Sequence, residues 1–227
     1  MLVDLSVCIV AYHNYDDIKH AISSLEKFTP ATITRKIYIV DNSGLNEEDD
    51  SRQSFEKFLK VFPDVEYLDE GENLGFGRAN NVPLQVMDSK YHCIMNPDIL
   101  FKEDAFTPII KYLEENDNVG MVIPNIIGTD GERQKVYRKE LTVFDMFIRM
   151  FCKNMFPKRM AEHTLQYEDY SKPFHVPFGQ GSFLVIRSEL FKSLEGFDDH
   201  FFMYVEDADL SKSGFFFDVF SRCNSYS

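Results

Sequence analysis

The sequence is poor in basic residues. Its 227 residues include 24 lysines and arginines against 37 aspartates and glutamates, which gives a formal net charge of −13. A nucleic-acid-binding protein needs a basic face that displaces counterions, so this charge argues against that class. It also means that an anionic ligand would need local help from a metal ion or from backbone N–H groups.

Long apolar runs and cysteine pairs are absent as well. No stretch approaches the roughly 18–20 apolar residues that cross a bilayer, and no basic segment followed by an apolar one opens the chain. The four cysteines form no C-x-x-C pair. Cys8 and Cys93 stand in apolar, strand-like runs, which predicts buried thiols in a reducing compartment. We therefore expect a soluble, cytoplasmic protein.

Glycine is missing from the first strand-to-helix turn, which reads Ala-Tyr-His-Asn-Tyr at residues 11–15. A dinucleotide-binding unit places G-x-G-x-x-G there, so that a pyrophosphate can approach the helix N-terminus. The sequence also lacks a Walker A loop. The pattern therefore argues against nicotinamide-dependent and P-loop chemistry.

The apolar periodicity alternates between strands and helices. Predicted strands cover residues 5–11, 36–40, 65–68 and 91–95, and predicted helices cover residues 18–28, 51–62 and 78–87. This alternation is typical of βαβ units with a parallel sheet. Further strands are predicted over residues 119–127, 134–137 and 182–187. The length suits one large α/β domain or two small ones.

Three carboxylates crowd four positions near the C-terminus. Glu206, Asp207 and Asp209 follow an aromatic run at residues 201–204. Carboxylates repel one another, and apolar neighbours make their ionised forms costly. Such a cluster suits a solvated helix start, a cation site or a site that uses a raised pKa. Since Asp98 provides a second acidic point at a predicted strand end, the pair suggests a metal and a base.

Five segments occur in the order of a known family. They are VCIVAYHN at residues 7–14, IVDNS at 39–43, NLGFGRANN at 73–81, NPD at 96–98 and EDADL at 206–210. Together they resemble the family 2 glycosyltransferases of the inverting GT-A type, most closely the bacterial rhamnosyltransferase-like branch. Residues 181–187 and 196–198 are also similar to that branch.

The resemblance implies a fold and a division of the chain. A GT-A domain is α/β, with a Rossmann-like, mostly parallel central sheet, flanking helices and a smaller acceptor-side subregion. We expect one such domain over residues 1–210, with a nucleotide-binding half at 1–100 and an acceptor half at 101–210. Residues 211–227 depart from the family pattern, which we interpret as an atypical tail after a truncation or alteration near Leu210.

The resemblance further implies a site for a nucleotide-sugar donor. Ala11, Tyr12 and His13 would flank the base, and Asp41 would accept a hydrogen bond from the imide N–H of uracil or thymine. A carboxylate suits that task because it only accepts. Ordinary turns at strand ends are the plain alternative for all four residues.

A second donor segment follows the third predicted strand. Asn73, Gly75 and Phe76 would pack against the nucleotide, and Arg78 would meet a phosphate. A helix N-terminus whose glycines serve the turn remains the alternative interpretation.

The metal and the base are likewise implied by the resemblance. Asn96 and Asp98 take the place of the family's D-x-D motif, with Asp98 as the ligand of Mg²⁺ or Mn²⁺. Asp207 would be the general base.

The acceptor side is implied in the same way. Glu206 or Asp209 would orient the loop or bind the acceptor sugar, and Gly181 would lie on the acceptor side. Residues 142–160 mix apolar and basic side chains, so they would either contact an anionic membrane surface or pack their apolar stripe on the core.

The expected activity is transfer, with inversion, of a sugar from a dTDP- or UDP-sugar to a hydroxyl of a glycan or lipid-linked acceptor. dTDP-rhamnose is the donor that the branch suggests, and cell-surface polysaccharide synthesis is the process. Such an enzyme would be cytoplasmic or peripheral at the inner face of the membrane. The alternative is a non-catalytic protein of the same fold that binds a nucleotide sugar or a partner.

Overall fold

Strands and helices alternate along the first hundred residues. The computed structural model describes residues 2–44, 50–134, 137–138, 158, 162, 164–170, 172–176, 178–179, 181–200 and 210, together with the backbone of residues 216–226. The strands are β1 (Val3–Ala11), β2 (Arg35–Asp41), β3 (Val65–Asp69), β4 (Ser89–Met95), β5 (Leu100–Phe101), β6 (Val119–Ile127), β7 (Tyr137–Arg138), β8 (Phe174–His175), β9 (Phe178–Gly179), β10 (Phe183–Arg187) and β11 (Phe216–Tyr226). The helices are α1 (Tyr15–Phe28), α2 (Asp50–Leu59), α3 (Phe76–Asn81), α4 (Phe106–Glu115) and α5 (Ser188–Ser193), with a 3₁₀ helix at Val82–Gln85.

The central sheet is mixed. Its order is β3-β2-β1-β4-β10-β6-β11-β5, with β8 paired to β11 beside this path. β1 is parallel to β2 and β4, and β2 is parallel to β3. β10 enters antiparallel between β4 and β6, and β7 pairs with β9 in a separate small sheet. The predicted α/β class with a Rossmann-like, mostly parallel central sheet is confirmed, because six of its strands run in one direction: β1, β2, β3, β4, β6 and β11.

The strand register brings several loops to one edge of the sheet. Ala11 pairs with Asp41, and Asp41 pairs with Asp69, so β1, β2 and β3 end at the same level. Cys8 pairs with Ile94, which places the end of β4 beside them. The chain leaves β1 to build β2 and β3 on one side and returns to build β4 on the other. This arrangement is the topological switch point beside which α/β sheets bind ligands.

Strand β1 supplies the middle of the core. Leu5, Val7 and Ile9 are fully buried, as are Ile18 and Ile22 on α1, and all five belong to one hydrophobic cluster. Burying each such side chain contributes about 1.5–3 kcal/mol, so this packing fixes the position of the loop that follows β1. The two cysteines predicted to be buried, at positions 8 and 93, are indeed buried free thiols, and burial raises the pKa of both.

A buried polar chain crosses from β1 to β4. Ser6 Oγ lies 2.7 Å from His92 Nδ1 and 2.7 Å from Ser89 Oγ, which in turn lies 2.9 Å from Ser188 Oγ. The imidazole stacks on Phe191 with ring centroids 5.2 Å apart. His92 Nε2 is buried without a partner among the described residues. This arrangement favours a proton on Nδ1, because an unpaired buried N–H is costly.

Some predicted elements differ from the observed ones. The helix predicted at residues 78–87 is the short α3 followed by a 3₁₀ helix with Pro83 at its start, because proline cannot donate the hydrogen bond that would continue α3. Of the strand predicted at 134–137, Gln134 lies outside any strand, residues 135–136 are outside the described residues, and Tyr137 begins β7. Arg133 forms an isolated bridge with Ile127. The backbone of residues 216–226, which belongs to the predicted tail, forms β11 in the central sheet.

Every helix among the described residues is too short or too polar to cross a membrane.

Candidate functional site

Asp41 ends β2 and is fully buried. Its Oδ2 accepts hydrogen bonds from the hydroxyl groups of Tyr15, at 2.9 Å, and of Tyr67. Its Oδ1 accepts a hydrogen bond from the backbone N–H of Ser43 at 2.9 Å. The two tyrosines come from α1 and β3, so the carboxylate joins three elements. The residue predicted to accept a hydrogen bond from a nucleotide base is therefore enclosed and engaged by donors of its own chain.

Arg52 on α2 compensates this buried charge. Its Nε lies 3.8 Å from Asp41 Oδ2 and 3.4 Å from Glu56 Oε1, and its Nη2 pairs with Asp69. Burial by itself would raise the pKa of Asp41, but hydrogen bonds, first among them the one from Tyr67, outweigh burial and hold that pKa below its usual value. Asp41 is therefore charged at neutral pH.

Asn42 ties the loop after β2 to the loop after β3. Its Nδ2 donates to Asn73 Oδ1 at 2.9 Å, and its Oδ1 accepts from the N–H of Leu74 at 2.6 Å. Asn73 Oδ1 also accepts from the N–H of Gly75 at 2.9 Å. Gly75 has φ +81°, in the left-handed region that glycine adopts without strain. The second predicted donor segment is thus held against the loop that Asp41 supports.

Tyr12 and His13 leave β1 toward solvent. Their rings meet edge to face at 4.9 Å, and Tyr12 is 55% exposed. His13 has φ +57°, and its N–H donates to Ser43 Oγ at 2.9 Å. A left-handed residue other than glycine is uncommon, and such residues cluster at functional sites. Ala11 is buried behind them, and its carbonyl accepts from the N–H of Asn42 at 2.9 Å. The exposed surface at this strand end is therefore aromatic.

Asn96 and Asp98 form the turn after β4. The N–H of Asn96 donates to the carbonyl of Ser182 at 2.8 Å, and the carbonyl of Asn96 accepts from the N–H of Ile99 at 3.2 Å. The Asp98 side chain is exposed, whereas Gly181, beside Ser182, is buried. An exposed carboxylate at the ligand-binding edge has the oxygen chemistry that Mg²⁺ and Mn²⁺ select. The role of Asp98 as a metal ligand stays a prediction.

Phe76 and Arg78 have contacts that the sequence does not indicate. Arg78 Nε donates to the carbonyl of Asp199 at 3.0 Å, and Phe76 packs edge-on against Phe197 with centroids 5.8 Å apart. Both residues were predicted to contact the donor. The observed contacts hold the turn that follows α5, and the contact with the donor stays a prediction.

Asp198, Asp199 and His200 place one ligand atom each within 4.8 Å of one another, and they are the one such group of three found in the described part of the chain. His200 Nδ1 lies 2.6 Å from Asp198 Oδ1, and this hydrogen bond raises the pKa of the histidine. The pKa of Asp198 is lowered first by the backbone N–H of His200, which donates to Oδ1 at 2.9 Å, and then by the imidazole. Asp98 belongs to no such group among the described residues. A cation held by Asp98 alone suits the rule that Mg²⁺ takes one or two carboxylates and completes its shell with phosphates and water.

The predicted base and part of the predicted acceptor site lie outside the described residues. These are Asp207, Glu206 and Asp209. Nearly all of the segment 142–160 lies outside them too. The roles assigned to these residues stay predictions.

Three residues of the site were not found from the sequence. Tyr15 and Tyr67 look like ordinary apolar positions of a helix and a strand, and Arg52 looks like part of a solvated charged helix. No local pattern marks them, because their common partner is a buried carboxylate that only the fold brings to them.

Comparison with known proteins gives the family. The model described as Glycosyl transferase family 2 matches residues 6–195. The chain is 26% identical over 211 residues to the rhamnosyltransferase WbbL of Escherichia coli, covering 90% of this chain and 74% of that protein. It is 23% identical over 219 residues to the N-acetylglucosaminyl-diphospho-decaprenol L-rhamnosyltransferase of Mycobacterium tuberculosis, covering 91% of this chain and 68% of that protein.

A solved structure shows the same fold. GalNAc-T7, crystallised with UDP, GalNAc and Mn²⁺, aligns with a TM-score of 0.72 at 14% identity, over 99% of this chain and 43% of that chain. This chain thus spans less than half the length of that protein, and the likeness shows the fold alone. The expected GT-A architecture and the rhamnosyltransferase-like relatives are both confirmed. Because the family model matches the chain from β1 to just beyond α5, the chain belongs to glycosyl transferase family 2.

Proposed function

We propose that this chain transfers a sugar from a nucleoside-diphosphate sugar to a hydroxyl group of a glycan or a lipid-linked acceptor, with inversion. The observation that carries the proposal is the switch point between β1 and β4, where exposed Tyr12 and His13 follow one strand and exposed Asp98 follows the other. Crevices at such points bind ligands in α/β sheets. Family membership supplies the chemistry.

The relatives narrow the substrate class. One is named a rhamnosyltransferase, and another is named for L-rhamnose transfer to N-acetylglucosaminyl-diphospho-decaprenol. We therefore propose dTDP-rhamnose as the first donor to test and other dTDP- and UDP-sugars as the second set. A lipid-linked acceptor would place the enzyme at the inner face of a membrane, with residues 142–160 as the contacting segment.

The base of the nucleotide would pack on the aromatic surface of Tyr12 and His13. Asp41 has no exposed surface. A base N–H would have to displace the hydroxyl groups of Tyr15 and Tyr67 to reach Oδ2, or the N–H of Ser43 to reach Oδ1. Its role in this proposal is to fix the loop at Ser43, which in turn holds the backbone of His13. This revises the sequence-based assignment of Asp41 as a direct partner of the base.

Asp98 would hold a divalent cation. When bound, the cation neutralises charge on the departing nucleoside diphosphate. A chain with a net charge of −13 has particular need of such compensation at an anion site.

Asp207 would act as the base. It takes the proton of the acceptor hydroxyl while the acceptor oxygen forms a bond to the anomeric carbon. The bond from that carbon to the diphosphate oxygen breaks, and its electron pair leaves with the diphosphate. Attack from the face opposite the leaving group inverts the anomeric configuration.

Metal-dependent nucleotide binding tests the donor site. Melting would be measured with UDP, dTDP, GDP and CDP, each with and without Mn²⁺. A nucleotide at ~100 times its Kd raises the free energy of unfolding by about 2.7 kcal/mol, and we expect this gain for dTDP or UDP with Mn²⁺. We expect Asp98→Ala to lose the part of this stabilisation that depends on Mn²⁺.

Asp117→Ala provides the matched control. Asp117 is also an exposed aspartate, but it precedes β6 at the opposite edge of the sheet. Its replacement should leave the nucleotide response unchanged. If no nucleotide stabilised the wild type, or if Asp98→Ala responded like the wild type, the proposed donor site would be wrong.

A further inference from the structure

Helix α3 is joined to the turn after α5 through the side chain of Asn81. Its Nδ2 donates to the carbonyl of Phe197 at 2.8 Å, and its Oδ1 accepts from the N–H of Phe197 at 2.9 Å. The two residues are 116 positions apart in the chain. The amide therefore pairs with the backbone as a neighbouring strand would, and both of its polar groups are satisfied.

The close approach of Asn81 depends on Gly196. Gly196 has φ +81°, and a Cβ built there would lie 2.2 Å from Asn81 Oδ1 and 2.6 Å from Leu84 Cδ1. Any side chain at this position would therefore be strained by the backbone and would displace Asn81. The hydrogen bonds of Asn81 to Phe197 therefore require glycine at position 196.

Two further side chains of α3 support the same turn. Arg78 Nε donates to the carbonyl of Asp199 at 3.0 Å. Phe76 packs against Phe197, which is 2% exposed and also contacts Phe191 with ring centroids 5.7 Å apart. Since three side chains of one short helix hold residues 197–199, the two segments are expected to move together.

The joined segments are connected to the two halves of the proposed site in different ways, one through contacts and the other through sequence. The loop before α3 is held through Asn73 and Leu74 by Asn42, in the loop that Asp41 supports. The turn at residues 196–200 leads directly, in sequence, into the acidic segment that contains Asp207. A rigid connection here would set where the acidic segment begins relative to the donor.

We propose that Asn81 is a positioning residue for sugar transfer. It fixes the start of the base-bearing segment against the donor-side helix, and it touches neither substrate. This inference rests on the proposed function. Because catalytic groups displaced by about 1 Å can cost on the order of 100-fold in rate, loosening this contact should lower turnover more than nucleotide affinity.

The test compares turnover with nucleotide binding in Asn81→Asp and Asn81→Ala. Asn81→Asp keeps the size and the acceptor oxygen but sets a carboxylate oxygen against the carbonyl of Phe197. For both variants we expect kcat for donor turnover to fall at least about 10-fold while the nucleotide Kd changes less than about twofold. Gly196→Ala should disturb the same contact, because its Cβ would displace Asn81. We expect it to lower kcat in the same way while the nucleotide Kd changes little.

Asn80→Ala is the matched control. Asn80 is the preceding residue and is buried, whereas Asn81 is half-buried. Among the described residues, Asn80 Nδ2 donates within its own helix, to the carbonyl of Phe76 at 2.9 Å. It should lose stability as the Asn81 variants do, yet keep its kcat at a temperature well below melting. Melting curves would show that each variant is folded at the assay temperature.

The outcomes separate this inference from the proposed function. An active wild type with Asn81→Asp and Asn81→Ala at wild-type kcat would overturn the inference alone. A loss of nucleotide affinity as large as the loss of kcat would also overturn it, because the contact would then serve the donor site only. A wild type that binds no nucleotide, or turns over no donor, would overturn the proposed function and this inference with it.

Discussion

At the scale of single residues, Asp41 shows how the fold assigns a role that the sequence leaves open. An aspartate followed by Asn-Ser-Gly at a strand end is compatible with a turn, a ligand contact or a buried support. The structure encloses its carboxylate between Tyr15 and Tyr67 and places Arg52 beside it. A buried charge needs such partners, because its desolvation is otherwise too costly. Asp41 therefore supports the loop whose outer surface carries the candidate site.

The Tyr67→Phe substitution tests this support. It removes a hydrogen bond to a charged acceptor, so we expect the free energy of unfolding to fall by about 1.5–3 kcal/mol. Tyr38→Phe is the control, since Tyr38 lies buried in β2 without contacting Asp41. Urea unfolding at neutral pH measures both changes. Equal, small losses in the two variants would show that Asp41 does not depend on its tyrosine partners.

At the scale of elements, the sequence was most informative where contacts are local. The four parallel strands and helices α1 and α2 follow from apolar runs and helical spacing, because each element carries its own pattern. Strand β10 was found as a strand, but its antiparallel place between β4 and β6 was not. Strand β11 was not predicted, since its pairing with β6 joins distant segments. Its residues are apolar at the start and mostly polar afterwards, so they show no alternating pattern.

His92 lies on β4 where that strand pairs with β1, and its burial makes the stability of the protein depend on pH. Burial and the nearby Lys192 lower the pKa of His92 to about 3, from 6.5 for an ordinary histidine. Below about pH 6.5, His92 is therefore protonated in the unfolded chain but stays neutral in the folded chain. The contribution of neutral His92 to the free energy of unfolding is complete above that pH and is lost as the pH falls toward 3.

The His92→Asn variant should flatten this dependence. Asparagine can still donate to Ser6 from Nδ2 but does not titrate. Between about pH 6.5 and 4, we expect the wild type to lose up to about 1.4 kcal/mol more per pH unit than the variant. Urea unfolding across this range measures the two slopes. Parallel slopes would mean that burial does not lower the pKa of His92 in the folded protein.

At the scale of the whole molecule, the candidate site is an edge assembled from separate loops. Parallel strands end together, so the sequence could place Tyr12, His13 and Asp98 in one region once the strands were identified. It could not show that Arg78 and Asn81 reach the turn after α5, because these contacts span more than 100 residues and depend on how α3 packs. The family resemblance assigned Asp207 the role of general base. The proposed sugar transfer depends on that role.

Turnover by Asp207→Asn, measured together with its nucleotide affinity, tests the central claim most directly. A general base contributes roughly 100- to 10,000-fold to rate. We expect dTDP- or UDP-sugar turnover to fall at least about 100-fold, while nucleotide Kd stays within about twofold. The control Asp199→Asn, in the exposed part of the preceding turn, should keep wild-type turnover. Full turnover in Asp207→Asn would contradict the account.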